Sequence, residues 1–520
     1  MNTRLLLVQR TAALFATVLL FTGCGGDEGE LTCARGEVVV DGACVPDRND
    51  RDSTRPPSTG GGEVDAGDRP GRPDGGGSPD DDDADGGLDD VDGSASDEDG
   101  TGDDGGPTLQ PDACGPGQAT TLSGVVRIPS GELPLPDVTV YIPTGELGDM
   151  ETGARCIACG SELSGFPMTR TTTNIRGEFI LRNIPPLDEV TLVIEVGNWR
   201  RISTVSGIVE CEDNPVEPEL TRLPRNQDEG HLPQFAVSTG AYDALECLLR
   251  KIGISDEEFT PETGPGRVHL FAGRGGTDRY SPALNGGASI TPAWNWWGAV
   301  ENLRRYDIIV HSCEGATHGG DKPFNAREAL MQFTNEGGRV FLSHYHYFWM
   351  SDGPPDFQAI AQWDNFGSAL SETETGYIDT SFEKGSQLAE WMEVTGTTPA
   401  GEFSISPVRG SIRSLDEDYA QRWVWIEPTC DPIIRQFFPA LCSDDAELVQ
   451  YFSFNTPVFD EPEEQCGRVV FSDIHVSAGD TSSPSTPFPN GCTTVGLTPQ
   501  EKALVFMLFD LSRCIIPDKR

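Results

Sequence analysis

YDIIVHSCEG, residues Tyr306 to Gly315, decides how the C-terminal half of this chain is read. Ile308-Ile309-Val310 is an unbroken apolar run, the kind carried by a strand buried on both faces. Polar and reactive residues follow it at once: His311, Ser312, Cys313 and Glu314, then Gly315. Two later stretches repeat the pattern, EGGRVFLSHYHYFW (336–349) and GRVVFSDIHVS (467–477). Phe235-Ala-Val-Ser, Val268-His-Leu-Phe and Val449 to Phe454 also read as strands. Helical patterns lie between them: Asp243 to Ile252 stopped by Gly253, Trp294 to Arg304, Ala326 to Glu336 stopped by Gly337-Gly338, and Thr498 to Ser512. Strands alternating with helices predict an open α/β sheet across 231–517.

Ligands of open α/β sheets bind beyond the carboxyl ends of the strands. Five of the seven histidines fall there: His311, His318, His344, His346 and His475. Two chemistries fit. In one, the Cys313 thiol is a hydrolase-type nucleophile activated by His475 or His344, with Glu314 nearby. In the other, His311, His344, His346 and His475 hold a divalent metal together with Asp473. Side chains alternate along a strand, so His344 and His346 share one face, which suits two ligands. The plainer alternatives are an inert buried or disulfide-bonded Cys313, and histidines that line a polar cleft. Trp294, Trp296, Trp297, Tyr345, Tyr347, Phe348 and Trp349 offer rings that could stack on sugars or fill the core.

The three quoted stretches resemble the class I glutamine amidotransferase-like fold, nearest its trehalose-utilisation (ThuA-like) branch. A GG-hydrophobic-His strand and a late GRV-aromatic-His strand recur there. The resemblance implies a flavodoxin-like open sheet. It does not carry the amidotransferase triad across. Ser343 to His346 hold no cysteine where that family places its nucleophile, and Cys313 follows the third strand instead. Ser477, not Glu, stands two residues after His475.

Residues 114–223 change pattern to alternation and turns. Strands over Leu122 to Ile128, Val138 to Ile142, Gly177 to Leu181 and Val190 to Val196 predict a small all-β sandwich. SGVVRIPSGELPLPDVTVYIP (123–143) and TTTNIRGEFILRNIP (171–185) resemble the carboxypeptidase regulatory-like (transthyretin-like) domain. That resemblance implies a structural or adhesive spacer.

The N-terminus reads as an export signal. Arg4 and Arg10 precede a short apolar run, Thr11 to Phe21, too short to span a bilayer. Phe21-Thr22-Gly23-Cys24 resembles a bacterial lipobox, which implies cleavage of residues 1–23 and lipidation of Cys24. The resemblance also implies the outer membrane, since no Asp follows Cys24. Residues 24–46 form a small Cys module. Residues 47–113 are Asp, Gly, Ser and Pro, and too few apolar groups are present to offset ordering entropy, so a disordered acidic linker is expected. The formal charge of −46 repels phosphate backbones and argues against a nucleic-acid partner.

Fourteen cysteines in an exported chain predict disulfides. The pairs suggested are Cys33–Cys44, Cys114–Cys211, Cys156–Cys159, Cys247–Cys514, Cys430–Cys442 and Cys466–Cys492, with Cys313 left over. Connectivity does not follow from spacing alone. The expectation is a multidomain, lipid-anchored envelope protein at the outer membrane, periplasm or cell surface. Its partners are the membrane and a glycan or envelope protein, and its role is recognition or display without catalysis. The alternative is an extracytoplasmic hydrolase or metal-dependent enzyme at the strand-end cluster.

Overall fold

The computed structural model describes residues 114–515, apart from 116–117, 158–161, 186, 364–372, 398–400, 430–446 and 477–478. It also describes one short antiparallel hairpin, Glu37–Val40 with Ala43–Pro46, closed where Val40 faces Ala43. The signal segment 1–23, the lipidation residue Cys24 and the linker 47–113 lie outside the described residues. So do Cys33, Cys159, Cys430 and Cys442, and the side chain of Cys44.

Five strands with wholly buried side chains run parallel in the C-terminal half: Phe235–Ser238, Val268–Ala272, Ile308–His311, Arg339–Ser343 and Gly467–Ser472. In space the second lies beside the first, then come the third, the fourth and the last. Val237 pairs with Leu270 on one side and Val310 on the other. The strand order therefore reverses at Phe235–Ser238, which opens a crevice at the carboxyl ends beside it. Beyond Gly467–Ser472 the sheet continues antiparallel through Leu448–Thr456, Ala420–Ile426, Glu374–Ile378 and Glu402–Ile405.

Helices Leu245–Lys251, Phe324–Asn335 and Pro499–Leu511 form where the apolar periodicity predicts them. Thr498 caps the last one, with Glu501 reaching back to close a capping box. The Trp294 to Arg304 pattern yields only a one-turn helix, Val300–Leu303, after a 3-10 turn at Ala293–Asn295. Packing overrides periodicity there: the Trp296 ring stacks on Phe271 with centroids 4.0 Å apart.

Residues 114–231 make two further sheets. Gly230–His231, Trp199–Ser206, Glu189–Val196, Thr139–Pro143 and Pro167–Thr172 lie in that order in one. Glu178–Leu181, Thr121–Val125 and Asp213–Pro215 make the other. Leu122, Phe179 and Leu181 meet Val140, Leu192 and Ile194 in one apolar core. That core does not stop at the start of the α/β half. Trp199 is fully buried, with its ring 6.1 Å from Phe235 and 5.6 Å from Phe509 of the last helix. At Gly197 the backbone has φ +53°, and a Cβ there would run into the Ser512 carbonyl. The β-sheets and the α/β sheet thus share a continuous packed joint. No helix among the described residues is long and apolar enough to cross a membrane.

Cys114–Cys211 pairs as expected. The other suggested pairings that can be read are corrected. Cys156 bonds Cys466, not Cys159, because the Arg155–Cys156 backbone lies against Gly337 at the foot of the parallel sheet. Cys247 bonds Cys492, not Cys514, because Leu245–Lys251 packs beside the 480–496 loop, where Lys251 Nζ meets Asp480 at 2.8 Å. Cys492 is therefore also not the partner of Cys466. Cys514 is itself disulfide-bonded. Cys313 is the free cysteine among the described residues, and it is buried.

Candidate functional site

The strand Arg339–Ser343 ends abruptly. His344 takes a left-handed backbone with φ +39°, and the chain enters a 3-10 turn over His344–Tyr347. A bulky non-glycine residue there stores strain on the order of 1 kcal/mol and persists only where its surroundings fix it. The turn breaks strand alternation, so His344 and His346 point to different places. This corrects their expected shared face.

His344 Nδ1 lies 3.5 Å from Cys313 Sγ. The His344 and His475 rings stand nearly perpendicular, with centroids 4.9 Å apart. One ligand atom from each of Cys313, His344 and His475 falls within 4.8 Å of the others. Three strand ends thus deliver one S and two N donors to one point. Around tetrahedral zinc such atoms sit about 3.5 Å apart, so a small contraction would bring all three into one coordination shell.

Two residues that the sequence did not single out support this trio. Asp243, at the head of the first helix, accepts from His475 Nδ1 at 3.0 Å and from the Val476 amide at 3.2 Å, and Ser343 Oγ donates to its other oxygen. Burial opposes its ionisation, but the His475 ring and these donors outweigh it and hold its pKa below the ordinary value. Asp243 fixes His475 with Nδ1 as the donor, which turns Nε2 outward as an acceptor or ligand. The only hint in sequence was its place between the first strand and its helix.

Burial pushes the Cys313 thiol well up, helped by the nearby charges of Asp243 and Glu314. It therefore stays protonated and is a poor nucleophile by itself. Burial, with His475 and Arg409 adding, pushes His344 down to about 2, so its imidazole is neutral. Its Nε2 is buried with no hydrogen-bond partner among the described residues. Gly240 lets the first crossover pass directly over the Cys313 carbonyl, where a Cβ would collide. Tyr242, 58% exposed, covers the cluster: its ring lies 6.3 Å from that of His475.

The remaining candidates belong elsewhere. Trp349 Nε1 donates to His346 Nδ1 at 2.8 Å, which leaves His346 Nε2 to donate to the Ser312 carbonyl at 2.9 Å. Both nitrogens are engaged. His311 stacks against both His346 and Trp349 and meets Ser238 Oγ through Nδ1 at 2.8 Å. Asp473 does not join the donors. It accepts from the Ser411 amide at 2.7 Å and the Ser411 hydroxyl at 2.9 Å. Glu314 does not serve Cys313: it forms a fully buried ion pair with Lys322 and accepts the Arg274 amide at 2.7 Å. The metal set of His311, His346 and Asp473 with His344 and His475 is thereby reduced to the last two, plus Cys313. Trp296, Trp297, Tyr347 and Trp349 are buried in the core, with Trp294 and Tyr345 packed against it.

No family model matches this chain, and no curated protein matches it. Among solved structures, a ThuA-like protein from Bacteroides uniformis is similar over 53% of this chain and 90% of its own, at 12% identity and a TM-score of 0.28. A likeness that slight carries no argument about fold or chemistry.

Proposed function

We propose that this chain is an exported, lipid-anchored envelope protein whose C-terminal module is a ThuA-like, metal-dependent hydrolase. Cys313, His344 and His475 are the ligands, and Asp243 orients His475. The convergence of three donors within 4.8 Å carries the reading. Three protein ligands leave a fourth position for water or substrate, as catalytic zinc sites do. A bound divalent ion would convert the otherwise unreactive Cys313 thiol to a thiolate and would lower the pKa of a bound water.

The strand order second, first, third, fourth, last is that of flavodoxin-like sheets, with the cluster at their usual binding end. This supports the amidotransferase-like reading of the motifs. The antiparallel five-stranded sheet and the mixed three-stranded sheet of residues 114–231 are consistent with a transthyretin-like sandwich, here packed on the α/β module. The disulfides support an oxidising compartment, in line with the signal and lipobox pattern.

The test is elemental analysis of the purified chain after dialysis against zinc, then against a chelator. About one ion per chain is expected, lost in Cys313→Ser and in His475→Ala, together with hydrolysis of an ester or amide panel. A chain that binds no divalent ion under these conditions overturns the reading.

A further inference from the structure

The strand Gly467–Ser472 delivers His475 from its carboxyl end, and its opposite end faces another surface. There Asn455 and Thr456 pair with Arg468 and Gly467. A groove of about 320 Å³ opens beside them, lined by residues of the 418–421 and 455–465 segments. Two rings stand in it unburied: Tyr419 and Phe459, 42% and 52% exposed, with centroids 4.9 Å apart and planes at 86°. Gln465 Nε2 donates to the Pro457 carbonyl at 3.3 Å, which ties down the loop that carries Phe459.

The polar lining is as specific. Gln421 is 4% exposed, and its Nε2 donates to the Arg422 carbonyl at 2.7 Å. Its Oε1 is buried with no partner among the described residues. Gln421 is among the residues that line the groove, and its acceptor is left for a donor that enters beside it. Asp418, Asp460 and Glu461 also line the groove, and none forms an ion pair among the described residues. Asp418 also lines a second hollow of about 540 Å³, between 358–362 and 414–418.

We propose that this groove binds a neutral glycan chain. Hexopyranose rings present an apolar face that packs on aromatic side chains, and a rim of hydroxyls that donate to carboxylate and amide oxygens. The paired rings, the buried Gln421 acceptor and the acidic rim supply both halves of that chemistry. Sulfated or uronic glycans are repelled by Asp418, Asp460 and Glu461, and an apolar peptide would leave those groups desolvated and unpaired. The site is independent of the metal reading and stands at the other end of the sheet.

Titration calorimetry of the full chain with maltohexaose, cellohexaose and chitohexaose tests it. At least one is expected to bind with a Kd of roughly 10 μM to 1 mM, and Tyr419→Ala and Phe459→Ala should each weaken binding about tenfold or more. Both side chains are exposed, so melting temperature and metal content should be unchanged. Heparin hexasaccharide should not bind. The proposal is overturned if none of the three binds at millimolar concentration, if binding survives both ring variants, or if hexalysine binds in their place.

Discussion

Asp243 Oδ1 lies 3.0 Å from His475 Nδ1, across 232 residues of sequence. The contact joins the head of the first helix to the loop after the last parallel strand. Carboxylates in this position behind a ligating histidine set its tautomer and basicity, and their loss costs about 10–100-fold in metal affinity. Asp243→Asn should show that loss in a competitive chelator titration. Asp473→Asn, which breaks contacts to Ser411, should leave affinity near wild type. Equal losses from both would remove the special role of Asp243.

The Cys313 thiol should resist alkylation. In the metal-free protein it is buried and held protonated, so iodoacetamide at pH 8 with a chelator present is expected to leave the Cys313 peptide unlabelled in the folded protein and to label it in denaturant. Peptide mass spectrometry reads the result. Labelling of the native protein at a rate close to that of free thiol would mean that the site opens readily.

The joint between the β-sheets and the last helix sets much of the stability. Trp199→Ala removes a fully buried ring between Phe235 and Phe509 and should cost about 3–5 kcal/mol in urea unfolding. Gly197→Ala should be destabilising too, because it adds a Cβ at φ +53° against the Ser512 carbonyl. A fragment that begins at residue 231 would expose this face and should aggregate or unfold. A stable, soluble 231–520 fragment would show that the joint is dispensable.

Stability should carry a pH signature from Asp307. Burial raises its pKa to about 6, against hydrogen bonds from the Gln234 amide at 2.7 Å, from Asn198 and from the Gly153 amide at 3.1 Å. Its unfolded value is about 3.9, so the folded state binds the proton more tightly. The stabilisation is therefore complete below about pH 4 and is lost as pH rises through 6, on the order of 3 kcal/mol. Asp307→Asn should flatten that part of the profile when urea midpoints at pH 4.5 and 7.5 are compared. An unchanged difference between the two pH values would assign the signature to other groups.

The Cys156–Cys466 bridge closes a sequence separation of 310 residues. Replacing both cysteines by serine should cost about 2–5 kcal/mol, with the melting temperature falling accordingly. A melting temperature equal to wild type would mean that the joint already holds these segments without the bond.

The elements were legible because their causes are local. Buried runs such as Ile308-Ile309-Val310 announce parallel strands, and Thr498 with Glu501 announces a helix start. Cys313, His344 and His475 were nameable as strand-end residues for the same reason, and Cys313 could be singled out as the leftover cysteine. The error at His346 came from extending strand alternation through His346, past the turn that begins at His344.

Sequence alone therefore determined the five parallel strands, the helices Leu245–Lys251, Phe324–Asn335 and Pro499–Leu511, and the sheet end where the histidines gather, since periodicity and caps act within a few residues; it did not announce the helix Glu383–Val394 or the strands Glu374–Ile378, Glu402–Ile405 and Ala420–Ile426. Tertiary structure alone decided that Asp243 stands behind His475, that Cys156 reaches Cys466, and that Glu314 belongs to Lys322. Those are meetings between residues far apart in the chain. They are fixed by strand order and by the compensation of buried charge, and no local pattern encodes either.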